Sequence, residues 1–354
     1  MSIAPPPPLR GTSPRGGGEG LTSPSGGGAR RAEGASGRAL SFWLKTLPPL
    51  ALALFLASLL LGPVNLLHLP PALAQTILIE LRLPRAALGL LIGAALGVSG
   101  AALQGLTRNP LASPDVLGAS AGAALGAVAV SYLLAATATL AVAAGAMAGA
   151  AFALLALIAL AGRAASTATL ILGGVAVSAL AGALTSLALS LAPSPFALYD
   201  ALFWLLGSLA DRSLAHLAAA APFIVIGTAL LLTTAPMLDR LALGEEVATT
   251  LGVRMPALRA RILIGSTLAV GASVAVAGSI GFVGLIVPHL VRPLVGHHPG
   301  RALWPSAWAG ACLLTLADLA VRLSPPGPEL KLGVLTTLIG APFFLALVLR
   351  QRGR

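Results

Sequence analysis

Two carboxylates, Asp115 and Asp318, lie inside long apolar runs, where an ionisable group is costly and is retained by ion-coupled transporters to relay protons or bind cations. Each has a simpler structural reading. Asp115 follows Ser113 and Pro114, the pattern of a first-turn charge on a helix with a serine cap and proline at its first position. Asp318 stands four residues before Arg322, an i,i+4 pair on one helix. No proton path follows from them. Other chemistries lack their residues. A nucleotide-driven pump in one chain needs GxxxxGK[ST], and the two lysines, Lys45 and Lys331, follow no such loop. There is no HExxH and no GxSxG, and His68, His216, His289, His297 and His298 share no ligand spacing. The single Cys312 excludes a CxxC pair and a disulfide within the chain. The sequence predicts no catalytic group, no metal site and no cofactor bound by this chain.

The elements that surround these residues are apolar. Of 354 residues, 57% are hydrophobic and 9% charged, against about 25% charged in a soluble domain, so the chain reads as an integral membrane protein. Its formal charge of +11 comes from basic groups spread between apolar runs, which fits membrane orientation and not a nucleic-acid surface. Residues 1–40, with PPPP and repeated GGG, predict a disordered cytoplasmic tail; the first apolar run begins too late and is too long for a signal peptide. Residues 41–354 then form one membrane domain. At about 20 apolar residues per crossing, ten spans are predicted: 48–67, 86–106, 113–134, 139–161, 167–191, 213–234, 258–277, 281–295, 303–321 and 330–349. The span 281–295 is the weakest, short and carrying Pro288 and His289. The fold class is therefore an all-α membrane bundle of about ten helices with both termini on one side. With the termini inside, the inner loops and tail, among them Arg108, Arg163, Arg292 and Arg354, carry eleven basic side chains, against five outside, namely Arg82, Arg85, Arg212, Arg322 and Lys331. Glycines at four-residue spacing (Gly89, Gly93 and Gly97; Gly118, Gly122 and Gly126; Gly145 and Gly149) permit close helix packing in lipid.

The remaining charges gather at the two faces. Outside, RLPR places Arg82 and Arg85 just before the second span, and Arg322 adds a third arginine on a side that usually avoids it; an acidic partner docking there is the reading they support. Inside, LALGEEVATTLGVRMPALRARI, Leu241–Ile262, begins in the longest cytoplasmic loop, about residues 239–257. Gly244 and Gly252 bracket a short helix with Glu245 and Glu246 in its first turn, and Val247, Ala248 and Leu251 give it an apolar side suited to a partner's groove.

These blocks carry a family resemblance. RLPRAALGLLIGAALGVSGAALQGLTRNPLASPDVLGASAGA, LGEEVATTLGV, AGSIGFVGLIVPHLVR, LADLAVR and LGVLTTLIGAPFFL, in this order over about residues 48–350, resemble the FecCD permease subunits of type II ABC importers, which carry ferric siderophores, haem and vitamin B12. The resemblance implies a ten-helix subunit in the plasma membrane, paired with a second copy or a paralogue, two cytoplasmic ATPases that use ATP and Mg2+, and an extracytoplasmic substrate-binding protein. It assigns Gly244, Glu245, Glu246 and Gly252 to the helix that couples to the ATPase. It assigns Arg82, Arg85 and Arg322 to docking of the binding protein, and Asn109, Leu111, Ser166 and Thr167 to a cytoplasmic gate. Ala168 stands where the vitamin B12 permease has a polar residue, and the long Gly/Pro tail lies outside the family pattern. The function implied is inward movement of a ferric siderophore by alternating access, with cobalamin or haem as alternative cargo. An ion-coupled secondary transporter is the reading from another class, and it would require Asp115 or Asp318.

Overall fold

The structure, a computed structural model, describes residues 27–133, 139–162, 166–324 and 330–352; Arg163, Arg354 and residues 1–26, which enter the readings above, lie outside them. Every regular element among the described residues is helical: α1 (Gly27–Leu60), α2 (Pro71–Thr76), α3 (Leu83–Thr107), α4 (Ala119–Leu133), α5 (Thr139–Ala161), α6 (Thr167–Ser190), α7 (Pro195–Leu205), α8 (Leu214–Leu232), α9 (Ala235–Leu241), α10 (Glu245–Thr250), α11 (Met255–Ala277), α12 (Val283–Val291), α13 (Pro299–Arg322) and α14 (Leu332–Arg352). A π-helical turn, Ile77–Arg82, joins α2 to α3 into one helix from Pro71 to Thr107. Among the described residues, six helices are long and apolar enough to cross a membrane, and five shorter apolar ones accompany them.

Each of the ten predicted spans holds a helix, and the weakest is indeed broken: α12 has nine residues with Pro288 inside and passes into a 3-10 turn, Arg292–Val295. Four details differ from the sequence reading. Helix α1 begins at Gly27, inside the segment read as disordered, because extending a helix already nucleated costs far less than starting one. The second span starts at Pro71, fifteen residues before the prediction, so Arg82 and Arg85 sit on a continuous helix and not on its approach. Helices α7 and α9 were not predicted; both open with proline at the first turn on short apolar segments that periodicity alone does not separate from loops. Finally, Ser113 caps no helix with its side chain. Asp115 lies in a four-residue 3-10 turn, Pro114–Leu117, and its carboxylate accepts from Ser120 Oγ at 2.9 Å.

The core is built around α3 and α11, whose inner turns carry no charged residue and are buried on every side. Every residue from Ala95 to Leu106, and from Ala269 to Ala277, is buried. Glycine makes this approach possible. A Cβ on Gly93 would overlap the backbone of Gly310 on α13, one on Gly97 the carbonyl of Ser306, and one on Gly100 the carbonyl of Gly284 on α12. Between α4 and α5 the fit is reciprocal, Gly122 against Gly149 and Gly126 against Gly145. Gly89 differs, since its Cβ would lie 3.6 Å from Leu209 and Thr315, an ordinary contact. Gly89→Ala should therefore be neutral or raise stability by up to about 1 kcal/mol, whereas Gly93→Ala should lower it by about 1–3 kcal/mol through overpacking. Thermal unfolding of the purified chain in detergent ranks the two. Equal melting temperatures would mean that α3 and α13 lie further apart than described.

Candidate functional site

On the inner side, α9, α10 and the start of α11 form one folded corner. Gly244 (φ 110°) and Gly252 (φ 84°) hold conformations that L side chains rarely adopt, which is why glycine brackets this helix. The C-terminal end closes as a Schellman motif: Val253 N–H donates to Ala248 O at 2.9 Å and Gly252 N–H to Thr249 O at 3.0 Å. Ala248 and Val253 are buried beneath it, so Ala248 belongs to the inward face and not to the exposed apolar side read from the sequence. Val247 (44% exposed) and Leu251 (48%) do point out, and Leu243 (65%) extends their row at four-residue spacing. Glu245 accepts from Arg259 at 2.6 Å, an accessible pair of small energy; Arg261 turns toward Met237 Sδ and Arg254 is the N-cap of α11. Sequence reasoning missed Asp239. Its Oδ1 accepts from Gly300 N–H at 2.8 Å, capping α13 from α9 and fixing the loop to a core helix. No local spacing signals such a cap, since the partners are 61 residues apart.

On the outer side, Arg82 and Arg322 converge on the end of α1, and Arg85 holds Asp318 beside them. The last carbonyls of a helix have no partner within it. Here two guanidinium groups from other helices supply donors: Arg82 bonds Leu59 O (3.0 Å), Leu60 O (2.7 Å) and Val64 O, and Arg322 bonds Ser58 O and Oγ (2.9 Å each) and Leu61 O (2.8 Å). Arg85 grips Asp318 with Nε at 2.9 and 3.1 Å and Nη2 at 2.8 Å. The i,i+4 contact between Asp318 and Arg322 exists at 3.9 Å but is the weaker of the two. Arg82 is buried, and the Arg85 side chain keeps 15% of its surface exposed. Next along this rim, Arg212 is held below the ordinary guanidinium range by burial first, with Asp211 offsetting the effect and Arg85 adding to it.

The four residues that the resemblance assigns to a gate each take a local backbone role. Asn109 Oδ1 accepts from Leu111 N–H at 2.9 Å, fixing the turn after α3, and Leu111 is half-exposed. Ser166 is the N-cap of α6, accepting from Thr169 N–H at 3.1 Å, and Thr167 opens that helix. Five residues beyond Asn109 the chain climbs back to the Pro114–Leu117 turn, which packs on α6 where Gly174 clears the Val116 carbonyl. Groups of three or more His, Cys, Asp or Glu able to hold a metal are absent among the described residues.

A bundle of long apolar helices whose arginine clusters stand at its two faces has the build of a multi-pass transport permease. The chain belongs to the FecCD transport family, whose profile matches residues 50–350. It is 41% identical over 280 residues to the Fe(3+) dicitrate transport system permease protein FecD of Escherichia coli, covering 78% of this chain and 86% of that protein. It is 43% identical over 284 residues to the cobalamin import system permease protein BtuC of Halobacterium salinarum, covering 80% and 75%. Among solved structures, an inward-facing conformation of a metal-chelate type ABC transporter matches with a TM-score of 0.77 and 32% identity, over 87% of this chain and 99% of that one.

Proposed function

We infer that this chain is the permease subunit of an ATP-binding-cassette importer that moves a metal chelate, a ferric siderophore first among them, inward across the plasma membrane by alternating access. The observation that carries this reading is the row Leu243, Val247 and Leu251, an apolar surface on an otherwise polar inner loop that is glycine-bracketed and capped onto the core through Asp239. A surface of this kind suits a partner's groove. That partner is a cytoplasmic ATPase, one under each of two permease copies, or under this chain and a paralogue. ATP and Mg2+ belong to the ATPase, and this chain binds no cofactor and hydrolyses nothing. Gly244 and Gly252 shape the coupling helix, and Glu245 and Glu246 orient it.

An extracytoplasmic binding protein docks at the outer rim. Arg82, Arg85 and Arg322 are the groups its carboxylates would meet, and docking exchanges the α1 carbonyls and Asp318 for those carboxylates. Asn109, Leu111, Ser166 and Thr167 form the cytoplasmic gate. The ferric dicitrate relative supports an iron chelate as cargo, and the cobalamin relative keeps a corrinoid as the alternative. ATP-dependent uptake into proteoliposomes containing this chain, its ATPase and its binding protein, comparing a ferric siderophore, haem and cobalamin, tests the reading. One cargo should accumulate, and changing both Glu245 and Glu246 to Arg should abolish uptake together with ATPase association. Uptake driven by an ion gradient without ATPase would overturn it.

A further inference from the structure

Asp115 is left unexplained by the coupling and docking surfaces. Ser178, whose Oγ–H donates to the Asp115 carbonyl at 3.2 Å, lies twelve residues along α6 from its cap at Ser166. At about 1.5 Å per residue this places the Asp115 turn roughly 18 Å from the inner end of α6, near the middle of a hydrocarbon layer about 30 Å thick. The chain reaches that depth through non-helical backbone, 108–113, and a 3-10 turn. Irregular backbone at membrane depth is tolerated only where protein buries it or where it borders water.

Glycines make the room. Gly174 admits the Val116 carbonyl, Gly118 lies against Val177, and Gly284 of α12 lies against Pro114. The turn's backbone is thus held between α6 and α12, yet Asp115 is an exposed residue in the single chain, with Ser120 Oγ–H donating to its carboxylate at 2.9 Å. Among the described residues it has no basic partner. The other carboxylate in an apolar run, Asp318, is buried against Arg85. An accessible carboxylate at mid-depth, with no basic partner among the described residues, is too costly to face lipid.

We propose that Asp115 lines the aqueous path for cargo and sets its charge preference, favouring chelates with a neutral or cationic periphery, such as a free ammonium, over anionic ones. This rests on the importer reading above. An ionised carboxylate only accepts hydrogen bonds, so it welcomes donors. A carboxylate on a water-filled path with low-dielectric walls repels like charge, which is how such a group rejects the wrong cargo.

The test uses the assembled complex in proteoliposomes and one ferric trihydroxamate in three forms: with a free ammonium, with that amine acetylated, and with it succinylated. Wild type should take up the ammonium form about tenfold faster than the succinylated form. Asp115→Asn should bring the ratio within about twofold, and Asp115→Lys should reverse it. A wild type without preference, or an unchanged ratio in Asp115→Asn, overturns charge selection. Asp115→Cys in a Cys312→Ala background adds a readout independent of transport, because Cys312, the chain's single cysteine, is buried. A membrane-impermeant maleimide should label Cys at position 115 in the nucleotide-free or the ATP-bound complex. No labelling in either state overturns the placement. If wild type accumulates none of the three forms, the importer reading fails, and labelling still decides whether Asp115 borders water.

Discussion

Replacing Asp318 by alanine is expected to destabilise the folded chain by about 3–5 kcal/mol, the loss seen when one partner of a buried ion pair is removed. Asp318 is 2% exposed and holds Arg85 through three short contacts, with Arg322 at 3.9 Å. Without it two guanidinium groups face each other in a low-dielectric pocket at the end of α13. Arg85→Met should cost less, because Arg322 stays near the carboxylate. The double change Arg85→Met with Asp318→Leu should recover most of the loss, since apolar packing of similar volume often matches a buried pair. Melting temperatures in detergent at one scan rate, followed by tryptophan fluorescence, give the ranking. If Asp318→Ala melts with wild type, the pair at the outer rim is not a fixed element of this fold.

How much of this was legible in the sequence follows from the range of the interactions. The long apolar helices were, because a crossing requires about twenty apolar residues wherever it packs; α5 matches its predicted bounds. Gly244 and Gly252 were, because a bracketing glycine acts on its own backbone. The partners of Arg82 and Arg322 were not. Their charge type suggested an acidic protein; within the chain the structure gives them the end of α1 and the turn after it, 18 to 23 residues away for Arg82 and about 260 for Arg322. Asp318 was paired with Arg322 by spacing, yet its closer partner is 233 residues distant on α3. Ala248 and Val247 are adjacent letters of equal polarity in α10, and only the path of the chain decides that one is buried and the other exposed.

That difference sets the largest functional effect. Val247→Asp or Leu251→Asp should weaken association with the ATPase by about 2–4 kcal/mol, roughly 30- to 1000-fold. Each variant removes the burial of an aliphatic side chain, worth about 1.5–3 kcal/mol, and leaves a carboxylate to be desolvated in the partner's groove. Neither side chain is needed within the chain, because both are about half exposed. The melting temperature of the isolated permease should therefore stay near that of wild type. Glu245→Gln should do far less, since its pair with Arg259 is accessible, with the glutamate side chain 46% exposed, and such pairs contribute at most about 1 kcal/mol. Ala248→Asp should fail in the opposite way, unfolding the corner that Val253 and Ala248 close, so that stability and association fall together. Titrating the purified ATPase against each permease in detergent, alongside melting curves, separates the three cases. Full affinity in Val247→Asp and Leu251→Asp would mean that the partner grips the polar face of α10, and the charged residues would then carry the coupling.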